Sequence, residues 1–513
     1  MDLVLPNSAI RKTIDGKFDS LHAHAMQPNM FLEGNFAPID QELTLTNLKD
    51  FILRGKIPKD LHGTFYRTGP NPQFQPTGNY HWFFGDGMVH AFQISRGEIV
   101  YRNRYVRTPT FAIEQSAKRS LFLGSGSNFL ANLQLIGGNI FALVAGLIRR
   151  GNADVFTKLI SKANTSVVPF RDQLLALVES SPPVVLNPSS LDTEGFEDFG
   201  ESFISPFTAH PKMDALTGYL YAFGYRVAGQ PKLEYYVINP SGKIVSRTPI
   251  DIPYYAMVHD FVTTRNFAVL PIFPAVASLA AMKKGRIAEW QPDKGAFVYV
   301  LAKDGNAQTL KRFEFPPGYA YHYANAYEEG KTIVIDAVFY EKVPLMGSDA
   351  ECRDELFAGK NPGLLTRFRL NMSNGKVEKT VLDESQQLEF PVIDNRLTGE
   401  NYDRLFAATL SLSATGAGVF GGHAAYQLSR GKIRAETTHL PEGHFGGEPV
   451  FVPTGKPGSP KGYILNLVYN SREENSYLAI YDAEKADKKP VCEIGVPHRI
   501  PYGFHGVWRP QRS

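Results

Sequence analysis

The chain has 513 residues, with 54 Lys and Arg against 51 Asp and Glu, for a formal net charge of +3. This balance, with 43% hydrophobic and 20% charged residues, excludes a disordered chain and a long basic tract built for nucleic-acid phosphate. Two cysteines, Cys352 and Cys492, exclude a disulfide scaffold and a cysteine-based zinc cluster, and they fit a reducing, cytoplasmic compartment.

Residues 1–30 contain no apolar run of signal-peptide length and read as an N-terminal extension, with 31–513 as a single domain. Phe129–Ile148, FLANLQLIGGNIFALVAGLI, runs twenty residues without a charge, which meets the length criterion for a bilayer span. It also holds Asn132, Gln134, Gly137, Gly138 and Asn139, and Arg149, Arg150, Lys158 and Lys162 follow it. A buried core segment, a patch dipping into one leaflet and a true span all stay open. The insertion 129–160 is best read as the leaflet patch, with Phe129, Leu133, Leu135, Ile136, Ile140, Phe141, Leu143, Val144, Leu147 and Ile148 as its apolar surface.

Beyond it, strand signals recur at 218–227, 233–250, 295–315, 331–340, 365–382 and 462–484. Each joins β-branched or aromatic runs through Gly, Asn or Asp turns. Helical periodicity is confined to 129–160 and 274–286. Short strands over hundreds of residues, without βα alternation or a linker, predict one closed all-β body of propeller type. Clean repeats are absent, so periodicity does not give a blade count.

Among 13 histidines, four have unusual apolar or aromatic flanks: His210 (FTAHPKMD), His259 (MVHDF), His322 (YHYANA) and His505 (YGFHGVW). No HExxH or i,i+4 pair is present, so any metal site must be assembled from distant strands. On residues alone, each reads more readily as a structural histidine. The Gly-Asp-Gly at 85–87 reads as a turn, since no strand, Gly-loop and helix surround it.

Longer motifs shift that weighting. MFLEGNFAPIDQE, GTFYRTGPNPQF, YHWFFGDGMVHAF, TAHPKMDALTGYLYAFGY, YYAMVHDFVTTRNFAVLPIFP, YHYANAYEEG, LEFPVIDNRLTGENY, GEPVFVP and FHGVW together resemble the carotenoid cleavage oxygenases, in order from about residue 30 to the C-terminus. The resemblance implies a seven-bladed β-propeller with a helical and loop cap over an axial metal site. It implies one Fe(2+) held by His210, His259, His322 and His505. Glu179, Glu389 and Glu448 match the carboxylates that back the ligands, in the pairs Glu179–His259, Glu389–His322 and Glu448–His505, leaving His210 without one. Thr165, in KANTSVV, matches a threonine near an open iron position in relatives. His81, His90 and His444 sit in family-like motifs and read as structural.

The implied reaction is oxidative cleavage of a carbon–carbon double bond by O2, giving two carbonyl products. The family takes carotenoids and apocarotenoids, or phenolic stilbenes and phenylpropenes. Stilbene cleavers carry a Lys directly before the first of the three carboxylates, and here that residue is Val178. Ser120-Leu121-Phe122 is followed by LGSGSNF, without the tyrosine of stilbene cleavers. An apolar Val cannot anchor a phenolate, so a small hydrophobic polyene is the favoured substrate and a stilbene the alternative. A retinoid-isomerase-like activity and a non-catalytic binding propeller remain further alternatives. No nucleic acid and no obligate protein partner is expected, and contact with a membrane surface is.

Overall fold

The computed structural model describes residues 29–511 except 47, 77–79, 121–156, 201–205, 226–228, 279–280, 282–285, 348, 412–418, 430–431 and 486–488. The apolar residues from Phe129 to Ile148 therefore lie outside the described residues. Seven antiparallel sheets of four to six strands form the blades of a β-propeller.

Blade one holds Gly63–Pro70, Gly87–Ser95 and Glu98–Tyr105, with Thr44–Thr46 outside them. Blade two runs from Ser166–Phe170 to Thr193–Phe196, blade three from Lys212–Met213 to Ile244–Asp251, and blade four from Val262–Thr263 to Lys311–Phe315. Blade five spans Tyr323–Glu329 to Val377–Asp383, and blade six Leu388–Val392 to Lys432–His439. Blade seven takes its main strands from Gly462–Asn470, Asn475–Asp482 and Cys492–Val496.

The ring closes twice. The C-terminal strand Gly506–Pro510 is the axial strand of blade one, pairing Phe65 with Trp508. The early strand Ile52–Gly55 is the outer strand of blade seven, pairing Ile52 with Ile494. Full closure of this kind removes the unpaired edge that an open sheet of this size would present.

Burial follows position in the blade. Central strands such as Thr332–Phe339 (TIVIDAVF) are buried on both faces, because each blade is packed between two others. Outer strands such as Val377–Asp383 (VEKTVLD) carry Glu378 and Lys379 into solvent. Ile480 is fully buried and pairs with Leu465 within blade seven. Ile480→Val is expected to lower the unfolding free energy by about 0.5–1.5 kcal/mol, measured by denaturant titration.

The six segments read as strands from sequence all carry strands of these blades. Within the segment 274–286 expected to be helical, Ala281 is helical, and residues 279–280 and 282–285 lie outside the described residues. Ala275–Val276 is a strand paired with Glu289–Trp290, and tertiary pairing overrides the helical preference of the small residues there. Helical structure caps one end of the propeller. Pro109–Ala117 starts with Thr108 as its cap, the Thr108 hydroxyl accepting from the Phe111 N–H, and Asp349–Phe357 is a second helix. Thr110, Glu355 and Leu356 of these helices wall the cavity described next.

Candidate metal centre

Each blade delivers one of the seven residues singled out by the motifs. His210, His259, His322 and His505 stand one to three residues before the axial strands of blades three, four, five and one. Glu179 follows the second strand of blade two, Glu389 lies in the axial strand of blade six, and Glu448 precedes Val450–Pro453 of blade seven. Strand starts in a propeller converge on the axis, so residues hundreds of positions apart meet at one end of it.

The four imidazoles present ring nitrogens that all lie within 4.8 Å of one another. His259 Nε2 is 3.0 Å from His210 Nε2 and 3.2 Å from His322 Nε2. The opposite nitrogens face carboxylates. His322 Nδ1–H donates to Glu389 Oε2 at 2.6 Å, His505 Nδ1 meets Glu448 Oε1 at 2.8 Å, and His259 Nδ1 contacts Glu179 Oε1.

The orientation of Glu389 depends on a local backbone feature. Phe390 has φ of 54°, in the left-handed region, and the pairing register shifts between Glu389 and Val392. Successive side chains of a regular strand point to opposite faces. This bulge turns both the Glu389 carboxylate and the Phe390 ring toward the axis, where Phe390 lies 5.2 Å from the His322 ring and 5.1 Å from His505. A bulky residue in that region is strained by about 1–3 kcal/mol, and such strain collects at functional sites.

The hydrogen-bonding capacity of the rings defines what the centre can hold. An imidazole donating from Nδ1 has only a lone pair at Nε2. Glu389 holds His322 in this way, and His259 and His505 have their Nδ1 atoms against Glu179 and Glu448, so the Nε2 atoms of these rings turn toward one another. Burial, then the facing imidazoles, push His210 and His505 well below the usual histidine range, which keeps both neutral. At His259 burial pulls down as well, but Glu179 outweighs it and the net shift is upward. Burial opposes ionisation of Glu179 and Glu389, yet their imidazole partners outweigh it and hold both below the usual carboxylate range. A cation on the axis satisfies all these lone pairs at once. Imidazole suits iron, zinc and copper, and the carboxylates behind the rings fix tautomer and orientation.

Glu448 differs. Burial pushes it up to about 7, against the pull of Arg67. Between its ordinary 4.5 and about 7, the folded metal-free protein holds a proton there that the unfolded chain has lost, so this carboxyl's contribution to stability falls as pH rises through that window. A cation favours the ionised form. Co2+ affinity of metal-stripped protein, measured by dye competition, is therefore expected to rise with pH through this window, as protons on Glu448 and on His259 cease to compete with the cation. A flat profile across that range would show Glu448 to be ionised throughout.

A cavity of about 660 Å3 opens from the rings, walled by Phe83, Met257, Tyr321, Phe390 and Phe504. Thr165 and Val178 both line it. Thr165 is held by its own N–H donating to Leu177 O at 3.0 Å and by its carbonyl accepting from the His505 N–H at 3.4 Å. The hydroxyls of the lining tyrosines are already engaged. Tyr321 donates to Pro344 O at 2.8 Å, Tyr340 to Glu389 Oε1 at 2.8 Å, Tyr255 to Gly229 O at 2.5 Å, and Tyr225 to Val258 O. The rings thus offer faces rather than free donors. A larger groove, about 880 Å3, lies between blades six and seven and is lined by polar residues such as Glu384, His439 and Arg472, away from the converging imidazoles.

His81, His90 and His444 bond elsewhere, to Leu345 O, Tyr101 OH and Tyr477 OH. At 85–87, Gly85 is a bend that follows Trp82–Phe84, Asp86 pairs with Lys162 at 2.7 Å, and Gly87 opens a strand. Among the described residues, no helix is long and apolar enough to cross a membrane.

Sequence reasoning missed Arg67, which is buried behind Glu448. It donates to Gly503 O at 3.1 Å and to Glu448 O at 3.4 Å. A Cβ at Gly447 would fall 2.5 Å from its Nη2, so glycine is required for that approach. Its signal was a charge inside an otherwise uncharged strand. The cavity aromatics were missed for a different reason: 35 Phe and 24 Tyr give no basis for choosing among them.

Fold and site together define a β-propeller protein whose axis carries a buried, carboxylate-backed four-imidazole centre. The family described as RPE65, retinal pigment epithelial membrane protein, matches residues 36–510, and the chain belongs to this carotenoid cleavage oxygenase family. It is 32% identical to carotenoid 9,10(9',10')-cleavage dioxygenase 1 of Arabidopsis thaliana, over 94% of this chain and 90% of that protein. It is similar to the crystal structure of lignostilbene dioxygenase from Pseudomonas brassicacearum, with a TM-score of 0.79 and 28% identity over 95% of this chain and 99% of the other. Cobalt-substituted apocarotenoid oxygenase of Synechocystis gives a TM-score of 0.77 and 27% identity, over 92% and 97% of the two chains.

Proposed function

We propose that the protein is an Fe(II)-dependent dioxygenase that cleaves one carbon–carbon double bond of a carotenoid or apocarotenoid into two carbonyl products. The observation that carries this reading is a cluster of four converging imidazoles, three of which, His259, His322 and His505, line an apolar, aromatic-walled cavity. Ferrous iron, when bound, supplies activation of O2, which otherwise does not react with a closed-shell alkene.

The chain's own residues do the rest. His210, His259, His322 and His505 hold the metal as neutral donors, leaving its charge uncancelled. Glu179, Glu389 and Glu448 fix three of the rings. The cavity excludes water and aligns one double bond. Aromatic faces stabilise positive charge developing on the polyene. Thr165 narrows the space beside the rings. Val178 gives an apolar wall beside Glu179, and among the described residues the lining tyrosines have their hydroxyls already engaged.

Cleavage of a phenolic stilbene is the second reading, favoured by the similarity to lignostilbene dioxygenase. Product analysis on a panel of carotenoids, apocarotenals and 4-hydroxystilbenes under labelled O2 separates the two. Apocarotenal turnover with label in a carbonyl product is expected. Turnover of the stilbene alone overturns the substrate, and absence of label overturns the dioxygenase. We further propose a cytoplasmic protein of one domain over 31–513, touching membranes through the apolar insertion, which liposome flotation would detect.

A further inference from the structure

Three of the four imidazoles reach the axis on segments tied to a single carboxylate. We infer that Asp260 is the positioning residue that sets the spacing of His210, His259 and His322, an inference that rests on the metal-centre reading above.

Asp260 directly follows His259 and is buried, 4% exposed. Its Oδ1 accepts from the Phe261 N–H at 2.7 Å, which fixes the carboxylate against its own loop. The same oxygen lies 2.6 Å from Lys212 Nζ, in the axial strand of blade three, two residues beyond His210. Oδ2 accepts from the N–H of Tyr323 at 3.3 Å, the residue after His322 and the first of blade five. One side chain thus clasps three adjacent blades, each at the segment that carries an imidazole.

His210 is where this matters most. Among the described residues, no carboxylate forms an ion pair with its ring. The other three rings are oriented directly by Glu179, Glu389 and Glu448. The His210 segment is instead placed through its backbone, with its N–H donating to Thr208 Oγ1 at 3.0 Å and with Lys212 strapped to Asp260. Metal binding tolerates distance errors of only about 0.2 Å. A strap that holds the one unsupported ligand against its two neighbours therefore acts on affinity without touching the metal.

The test titrates Co2+ into chelator-stripped full-length protein. It reads the dissociation constant by dye competition, the Co(II) electron paramagnetic resonance spectrum, and thermal melting. Asp260→Ala is expected to weaken Co2+ binding about tenfold or more and to change the spectrum, in line with the 10–100-fold effect of groups that support metal ligands. Lys212→Met is expected to act in the same direction, and the double variant to be no weaker than Asp260→Ala alone, since both remove one strap. Asp260→Asn, which keeps an acceptor for a backbone N–H, is expected to recover part of the loss.

Lys303→Met is the control. It breaks the Lys303–Asp214 pair (2.9 Å), whose lysine is as shielded, at 13% exposure against 19% for Lys212. It is expected to leave the Co2+ affinity and spectrum at parental values. Parental affinity and spectrum in folded Asp260→Ala and Lys212→Met, or an equal effect of Lys303→Met, overturn the inference. If Asp260→Ala does not fold, Lys212→Met decides on the same readouts. Failure of the parent protein to bind Co2+ overturns the metal centre itself, which is a distinguishable result.

Discussion

Replacing His259 by Ala is expected to remove metal and turnover together. His259 is central to the cluster, with its Nε2 3.0 Å from that of His210 and 3.2 Å from that of His322. Its loss leaves three imidazoles and a gap on one side. It also strands Glu179, whose carboxylate is held below the usual range, against burial, chiefly by that ring. Removing one partner of a buried pair costs about 3–5 kcal/mol, so Glu179 is expected to take up a proton in the variant. Co2+ affinity should fall by more than about a hundredfold, beyond the range seen when only a supporting hydrogen-bond partner is lost. Adding Glu179→Gln should restore melting temperature and leave affinity low. Stoichiometric metal and parental turnover in His259→Ala would remove the ring from the ligand set.

The strands were legible because each is local: an aromatic or β-branched run, a Gly or Asn turn, and a return. GYLYAFGYRV and its partner segment are Leu220–Tyr225 and Lys232–Ile238 of one blade. The closure was not legible. It pairs Ile52–Gly55 with Cys492–Val496 and Gly63–Pro70 with Gly506–Pro510, and no short-range pattern records contacts across four hundred residues. The same distance hid the centre. An apolar-flanked histidine is ordinary by itself, and His210, His259, His322 and His505 become a set only when the ring brings their strand starts to one axis. Long motifs supplied that information, whereas spacing could not. Asp260 was in view, adjacent to His259 in MVHDF, but its reach to Lys212 and Tyr323 exists only between blades. Phe390 was hidden for a backbone reason, since a plain strand would turn it away from Glu389, and only the bulge brings both inward.

Glu389→Gln isolates charge from geometry. Three donors converge on this carboxylate: His322 Nδ1–H and the Phe390 N–H on Oε2, each at 2.6 Å, and Tyr340 OH on Oε1 at 2.8 Å. A glutamine can keep its oxygen at the first position and still accept from His322 and Phe390. Its NH2 then faces Tyr340, whose hydroxyl can rotate and accept instead. The ring of His322 therefore keeps its tautomer and orientation, and the change removes only the negative charge that makes the imidazole more basic. Metal affinity is expected to fall about 10–100-fold with the melting temperature of the metal-free protein little changed. Tyr340→Phe alone should be milder for the metal, because it deletes one donor and leaves the charge. Combined with Glu389→Gln it leaves the glutamine NH2 without an acceptor in a buried site, so the double variant is expected to lose stability beyond the sum of the two. Unchanged iron content and rate in Glu389→Gln would mean that the carboxylate merely anchors the bulge, and the pairing with His322 would carry no weight in holding the metal.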